Sequence, residues 1–103
     1  VKNNRGVIDR RNVPFIMVTR AVYEDETLKA ADKALYSALC MFADNETADC
    51  YPSRDTLIRT AGISDYSFRK SIKTLQEKGY IAVKSRYGNN GQMSNLYILL
   101  DVG

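Results

Sequence analysis

The sequence predicts an α+β fold, mainly α, in which a helix-turn-helix is followed by a β-hairpin, and three observations lead to it. First, Ser53 and Ser64 are helix-start residues that each precede an apolar periodic run, and only Gly62 and Ile63 separate the end of one run from the start of the next. Second, beyond Gly79 the apolar spacing changes from helical to alternating. Third, Gly88-Asn89-Asn90-Gly91 places residues tolerant of positive φ between two β-forming runs. With one earlier helix and a short leading strand, these features make a winged helix-turn-helix over residues 14–101: three helices, a short first strand and a C-terminal hairpin wing.

Residues 1–13 are polar and basic with little periodicity, which predicts an arm, either disordered or dimerising. Phe15-Ile16-Met17-Val18 is a short apolar run after Pro14, and Pro can begin an edge strand, so a strand is expected at 15–18. Leu28, Ala31, Leu35, Ala38, Leu39 and Phe42 recur at the three-to-four spacing of one helix face and predict a helix over 30–43. Lys29 is a poor N-cap for it, whereas Asp32 in the first turn suits the helix dipole. The segment 44–51 is a polar, acidic connection without pattern.

Pro52-Ser53 opens the next helix. The Ser53 hydroxyl can accept a first-turn amide, Asp55 suits the positive end, and Leu57, Ile58 and Ala61 give an apolar side. Gly62 can take positive φ and stop it. In the helix that begins after Ser64, Phe68, Ile72 and Leu75 form a buried stripe, and Gly79 closes it after Lys78 at the negative end. A strand follows over 80–86, with Ile81, Val83 and Tyr87 on one side and Ala82, Lys84 and Arg86 on the other. Its partner over 95–100 is apolar or aromatic throughout from Leu96 to Leu100, which leaves its buried face open.

A chain of 103 residues, 45% hydrophobic and 26% charged, forms one compact domain with little room for a deep enzyme cavity beside its core. The absence of His removes the commonest general base and metal ligand. No nucleophile-base pair, phosphate loop or metal cluster is visible, and the expectation is a protein that is not an enzyme and has no cofactor. Two cysteines, Cys40 within a helix and Cys50 in the connection after it, are too few for a zinc site. Glu24, Asp25 and Glu26 read as a solvated turn rather than a metal cluster. No stretch is apolar enough for a membrane span or a secretion signal, so a cytoplasmic protein with reduced thiols is expected, without a membrane partner. Val1 in place of Met, and an end soon after the last strand, suggest a domain cut from a longer protein.

The formal charge of +3 is unevenly placed. Residues 1–20 carry +4, and residues 21–52, which hold the first helix, carry −5. Residues 53–95 carry +5, from Arg54, Arg59, Arg69, Lys70, Lys73, Lys78, Lys84 and Arg86 against Asp55, Asp65 and Glu77. A polyanion would therefore be met by one face only, and DNA is the first partner to consider.

On the helix after Ser64 the residues left outside are Asp65, Tyr66, Ser67, Arg69, Lys70, Lys73 and Thr74, hydrogen-bonding and cationic groups suited to base edges and phosphates. The Arg69 fork matches a guanine edge, while Lys70 and Lys73 suit phosphate. Tyr66 and Ser67 stand where recognition helices usually touch bases. Asp65 weakens general attraction to DNA but can accept from cytosine N4. Ser53 and Arg54 begin a helix whose amides can hold a phosphate. In the wing, Lys84, Arg86 and Asn90 are candidates for backbone or minor-groove contact. The alternative for all the charges is a solvated face, and for the wing an edge strand guarded by charge. Several of the seven tyrosines, including Tyr36 and Tyr97, read as core residues with a hydroxyl at the rim rather than as base-stacking platforms.

Pro14-Phe15 to Val18, the apolar spacing from Leu28 to Phe42, YPSRDTLIRTAGIS, SFRKSIKTLQEKGYI and a closing SNLYIL together resemble the winged-helix domains of bacterial replication initiators. The pattern is similar to plasmid RepA-type initiators, DnaD-like primosome proteins and phage replisome organisers, over about residues 13–100. The resemblance implies a domain that recognises origin repeats in double-stranded DNA, as a homodimer, with replisome proteins as further partners. A winged-helix transcriptional regulator acting at operator repeats shares the scaffold, as does a degenerate module that only oligomerises or docks, and fold alone does not choose among these roles. Lys29, where a Ser or Thr cap is common, and Asp65, where a basic or neutral residue is common, depart from the pattern.

Overall fold

The computed structural model describes residues 16–44 and 46–101, and the arm at 1–13 and Phe15 lie outside that range. Its elements are α1 (Arg20–Tyr23), α2 (Ala30–Phe42), β1 (Asp49–Cys50), α3 (Arg54–Ala61), α4 (Asp65–Glu77), β2 (Ile81–Gly88) and β3 (Gly91–Leu99). This is the winged helix-turn-helix that the sequence predicts, with two differences at its N-terminal side.

The expected strand at 15–18 is absent over residues 16–18, which have no regular structure and lead into the short helix α1. The third strand comes instead from β1, inside the segment expected to be a plain connection. The sheet order is β1-β3-β2, and β1 pairs antiparallel with β3 through Asp49↔Ile98 and Cys50↔Tyr97. Ala48, at φ 61°, turns the chain onto that edge, and its carbonyl accepts from the Leu99 amide at 2.8 Å. Residues 16–18 take part in none of the sheet's strand pairings. Met17 is accordingly 76% exposed.

The helix ends follow the chemistry read from the sequence. Ser53 accepts the Thr56 amide at 3.1 Å, Ser64 accepts the Ser67 amide at 3.0 Å, and Gly62 closes α3 at φ 72°. Lys29, which has only donors, cannot cap α2. The reciprocal bond is made instead, the Lys29 amide donating to Asp32 Oδ2 at 2.9 Å, so half of a capping box begins this helix.

The core joins all the layers: Val22 and Leu28 before and at the entry to α2, Leu35, Tyr36 and Leu39 of α2, Leu57 of α3, Phe68 and Leu75 of α4, and Ile81 and Tyr97 of the sheet. Each fully buried aliphatic side chain stabilises the fold by about 1.5–3 kcal/mol relative to exposure. Two polar contacts tie α4 and its C-terminal end to the elements around this core. Ser71 donates to Asp32 Oδ1 at 2.6 Å, tying α4 to α2 in a buried site. Tyr80, just past α4, donates to Asp25 Oδ2 at 2.7 Å, tying the α4–β2 junction to the α1–α2 connection. The Tyr80 ring also meets Tyr36 edge-on at 6.4 Å.

The hairpin closes with Gly88 opposite Gly91. Register passes from Lys84↔Leu96 to Arg86↔Met93, so Ser94 and Asn95 of β3 stand against Ser85 alone and form a β-bulge. Tyr97 settles which face of β3 is buried. Tyr87, expected to share a covered side with Ile81 and Val83, is 72% exposed: it lies one pair from the hairpin tip, where Gly88 stands opposite Gly91.

Candidate nucleic-acid interface

The outward face of α4 follows from what α4 buries. With Phe68, Ser71 and Leu75 turned inward, helical geometry leaves Asp65, Tyr66, Arg69, Lys70 and Lys73 outside, and all five are exposed. Tyr66, Arg69, Lys70, Lys73, Thr74 and, at its C-terminal end, the acidic Glu77 border one open groove along the helix. Ser67 is half-buried, with its amide held by Ser64, so it offers less outward surface than its sequence position suggests.

Three of the candidates form one charged cluster. Asp65, the first residue of α4, pairs with Arg54, the first residue of α3, whose Nε donates to Oδ1 at 2.9 Å and whose Nη2 approaches the same oxygen. Arg69, one turn along α4, reaches the other oxygen, Nη2 to Oδ2, at 3.2 Å. The two-residue turn at Gly62-Ile63 brings the two helix starts together. The Arg54 guanidinium also lies over the Phe68 ring at 5.3 Å, which fixes the side chain beside α4. Lys70 stands 5.2 Å over the Tyr66 ring and donates to its hydroxyl at 3.3 Å. Tyr66 itself is 63% exposed.

The wing residues divide. Arg86 lies over the Tyr51 ring at 4.6 Å and so reaches across β3 to the chain just before Ser53. That contact joins the stem of the wing to the start of α3. Lys84 and Asn90 are exposed, and among the described residues no hydrogen bond, ion pair or ring contact joins them to the α4 groups. Ser53 is committed to capping: its hydroxyl accepts the Thr56 amide and donates to the Thr56 hydroxyl at 2.9 Å.

Sequence reasoning missed Tyr51 and the pairing of Asp65. Tyr51 lay in a segment with no pattern, and only the strand pairing of its neighbour Cys50 brings it beneath Arg86. The i,i+4 spacing of Asp65 and Arg69 is visible in the sequence and is a recognisable signal. The Arg54–Asp65 pair, eleven residues apart, depends on the angle between α3 and α4.

The cysteines and carboxylates suggest no second centre. Burial pushes the Cys40 and Cys50 thiols up to about 11, away from nucleophilic use at neutral pH. Among the described residues no group of three or more Cys, Asp or Glu is placed to hold a metal, and no helix is long and apolar enough to cross a membrane.

Residues 26–81, more than half of the chain, match the model of a helix-turn-helix domain family, and the chain belongs to that family. A solved structure described as "Structure of Rep-DNA complex" has a similar fold, with a TM-score of 0.61 at 19% identity over 85% of this chain and 75% of that one. At that identity the likeness speaks for the fold. No curated protein matches the chain.

Proposed function

We propose that this chain is a non-enzymatic module that binds double-stranded DNA in a sequence-dependent way, with α4 in the major groove and the β2–β3 wing on the flanking backbone or minor groove. The observation that best supports this reading is the composition of the outward face of α4. Exposed Tyr66, Arg69, Lys70 and Lys73 line one groove, and a helix-turn-helix geometry presents that groove outward. Arg69 suits a guanine edge, Lys70 and Lys73 suit phosphates, and Tyr66 adds apolar area and a hydroxyl at the helix end nearest the bases. Arg54, beside the Ser53 cap at the start of α3, and Lys84, Arg86 and Asn90 on the wing, extend the contact along the backbone.

The setting we favour is replication initiation, in a plasmid, phage or other mobile element. It is supported by the sequence resemblance and by the neighbouring fold, whose description names a Rep-DNA complex. A transcriptional regulator is the alternative use of the same surface. A homodimer on repeated sites is favoured by apolar side chains outside the proposed DNA face, with Met17, Met41 and Ile16 each at least 43% exposed. Light scattering at micromolar concentration tests it, and a monomer mass with and without duplex would rule it out.

About six phosphate contacts give a log-log dependence of affinity on salt with a slope of about −5. Fluorescence anisotropy with duplex DNA from 50 to 300 mM salt measures that slope. Absence of salt-sensitive binding to any duplex, including origin-like repeats, would refute the proposal.

A further inference from the structure

Asp65 places a negative charge at the head of α4, where a DNA-binding surface otherwise gains from positive charge. Exposed ion pairs add little to stability, about 0–1 kcal/mol, so the Arg54–Asp65–Arg69 cluster is not explained by holding the fold together. What the cluster does is occupy donors. Both Asp65 oxygens are engaged, Oδ1 by Arg54 and Oδ2 by Arg69, and an arginine fork closes on a carboxylate with the same donors that it offers to a phosphate or a guanine edge.

We propose that Asp65 is a specificity-determining residue that acts as an internal competitor: it holds Arg54 and Arg69 in the free protein and penalises contact with any duplex that cannot replace it. This rests on the DNA-binding reading above. With Asp65 in place, two arginines and one carboxylate carry a net single positive charge at the helix start. On a non-matching duplex, a phosphate taking either arginine leaves Asp65 without that donor and close to the DNA backbone. On a matching site the loss is made good. Arg69 turns to the guanine edge, and the freed Asp65 oxygen accepts from cytosine N4 while Arg54 keeps hold of the other. The residue thus lowers affinity for DNA in general more than for its own site.

The test compares wild type, Asp65→Asn, Asp65→Ser and Glu46→Gln, each as the full chain. Glu46 lies in the loop between α2 and β1 and is exposed, so Glu46→Gln makes the same unit change in net charge away from the arginines. Two probes are used: a random-sequence duplex, and the sequence that wild type enriches from a random duplex library. Each phosphate contact added at 0.1 M salt raises affinity about eightfold and steepens the salt slope by about 0.9. Both Asp65 variants are expected to bind the random duplex about eightfold more tightly with a slope steeper by about 0.9. Affinity for the enriched sequence changes less than about threefold, so the ratio between the two probes falls. Glu46→Gln is expected to stay within about twofold of wild type on both probes.

Asp65 variants that match Glu46→Gln on the random duplex, or that keep the wild-type ratio, would overturn the inference. So would a loss of discrimination at one base step with unchanged binding to the random duplex, which would make Asp65 a plain base reader. These results leave wild-type DNA binding intact and are therefore distinct from its absence, which would remove the underlying reading together with this one. Superimposable circular dichroism spectra of the variants confirm that the fold is retained.

Discussion

Ser71→Ala is expected to cost far more than the removal of one small side chain suggests. Ser71 is 1% exposed and Asp32 5%, and the hydrogen bond between them is 2.6 Å long. Alanine leaves Asp32 Oδ1 buried without a donor, while Oδ2 keeps the Lys29 amide. A hydrogen bond to a charged group contributes roughly 1.5–3 kcal/mol, so the expected loss is about 2 kcal/mol. For a domain of this size that lowers Tm by roughly 8–16 °C. Asp32→Ala removes the acceptor for Lys29 as well and is expected to cost about 3 kcal/mol. The double variant should cost about the same as Asp32→Ala alone, because the Ser71 hydroxyl has then already lost its partner. Urea unfolding of the four proteins, followed by circular dichroism, gives the cycle, with an expected coupling of about 2 kcal/mol. Additivity within about 0.5 kcal/mol would show that the bond does not fix α4 against α2.

The other expectations concern pH, the inter-helix turn and the thiols. Asp25 is held down at about 2 by the Thr27 hydroxyl, the Tyr80 hydroxyl, the Thr27 amide and, last, the Lys78 charge. Its folded value lies below an unfolded value of about 3.9, so its contribution is present above that value and is lost as pH falls toward 2. Asp25→Asn should therefore flatten the fall of Tm between pH 4 and 2, and an unchanged profile would contradict this. A Cβ at Gly62 would meet nothing within 4 Å, so Gly62→Ala costs only its φ of 72°, about 1 kcal/mol; Gly62→Asn should cost less, and equal losses in thermal melts would argue against that cause. Cys40 and Cys50, with thiols raised to about 11, should react with a disulfide reagent at neutral pH far more slowly in the folded than in the urea-unfolded chain.

The helix-turn-helix was legible because its signals are local. A serine cap, an apolar stripe and a positive-φ glycine each act within one or two turns, and α3 and α4 begin and end where those residues stand. The third strand was not legible because Asp49-Cys50 has no β pattern of its own. Its place is set by the free edge of β3, some fifty residues later. Over residues 16–18 the apolar, partly β-branched run pairs with no strand, so β propensity by itself did not place one. The helix α1 has four residues, too few for periodicity to register. At the candidate interface, the face of α4 could be read from spacing alone, whereas Arg54 on Asp65 and Arg86 on Tyr51 depend on how α3, α4 and the sheet are set against one another.

Selection of bound sequences from a random duplex library, run in parallel with wild type and Arg69→Ala, tests most directly whether α4 reads DNA. Wild type is expected to enrich a defined motif, and Arg69→Ala to lose preference at one base step, with a cost of about 1–3 kcal/mol on the wild-type motif. An unenriched pool from wild type would contradict sequence-dependent binding. An Arg69→Ala pool with the full wild-type motif would contradict base reading by Arg69.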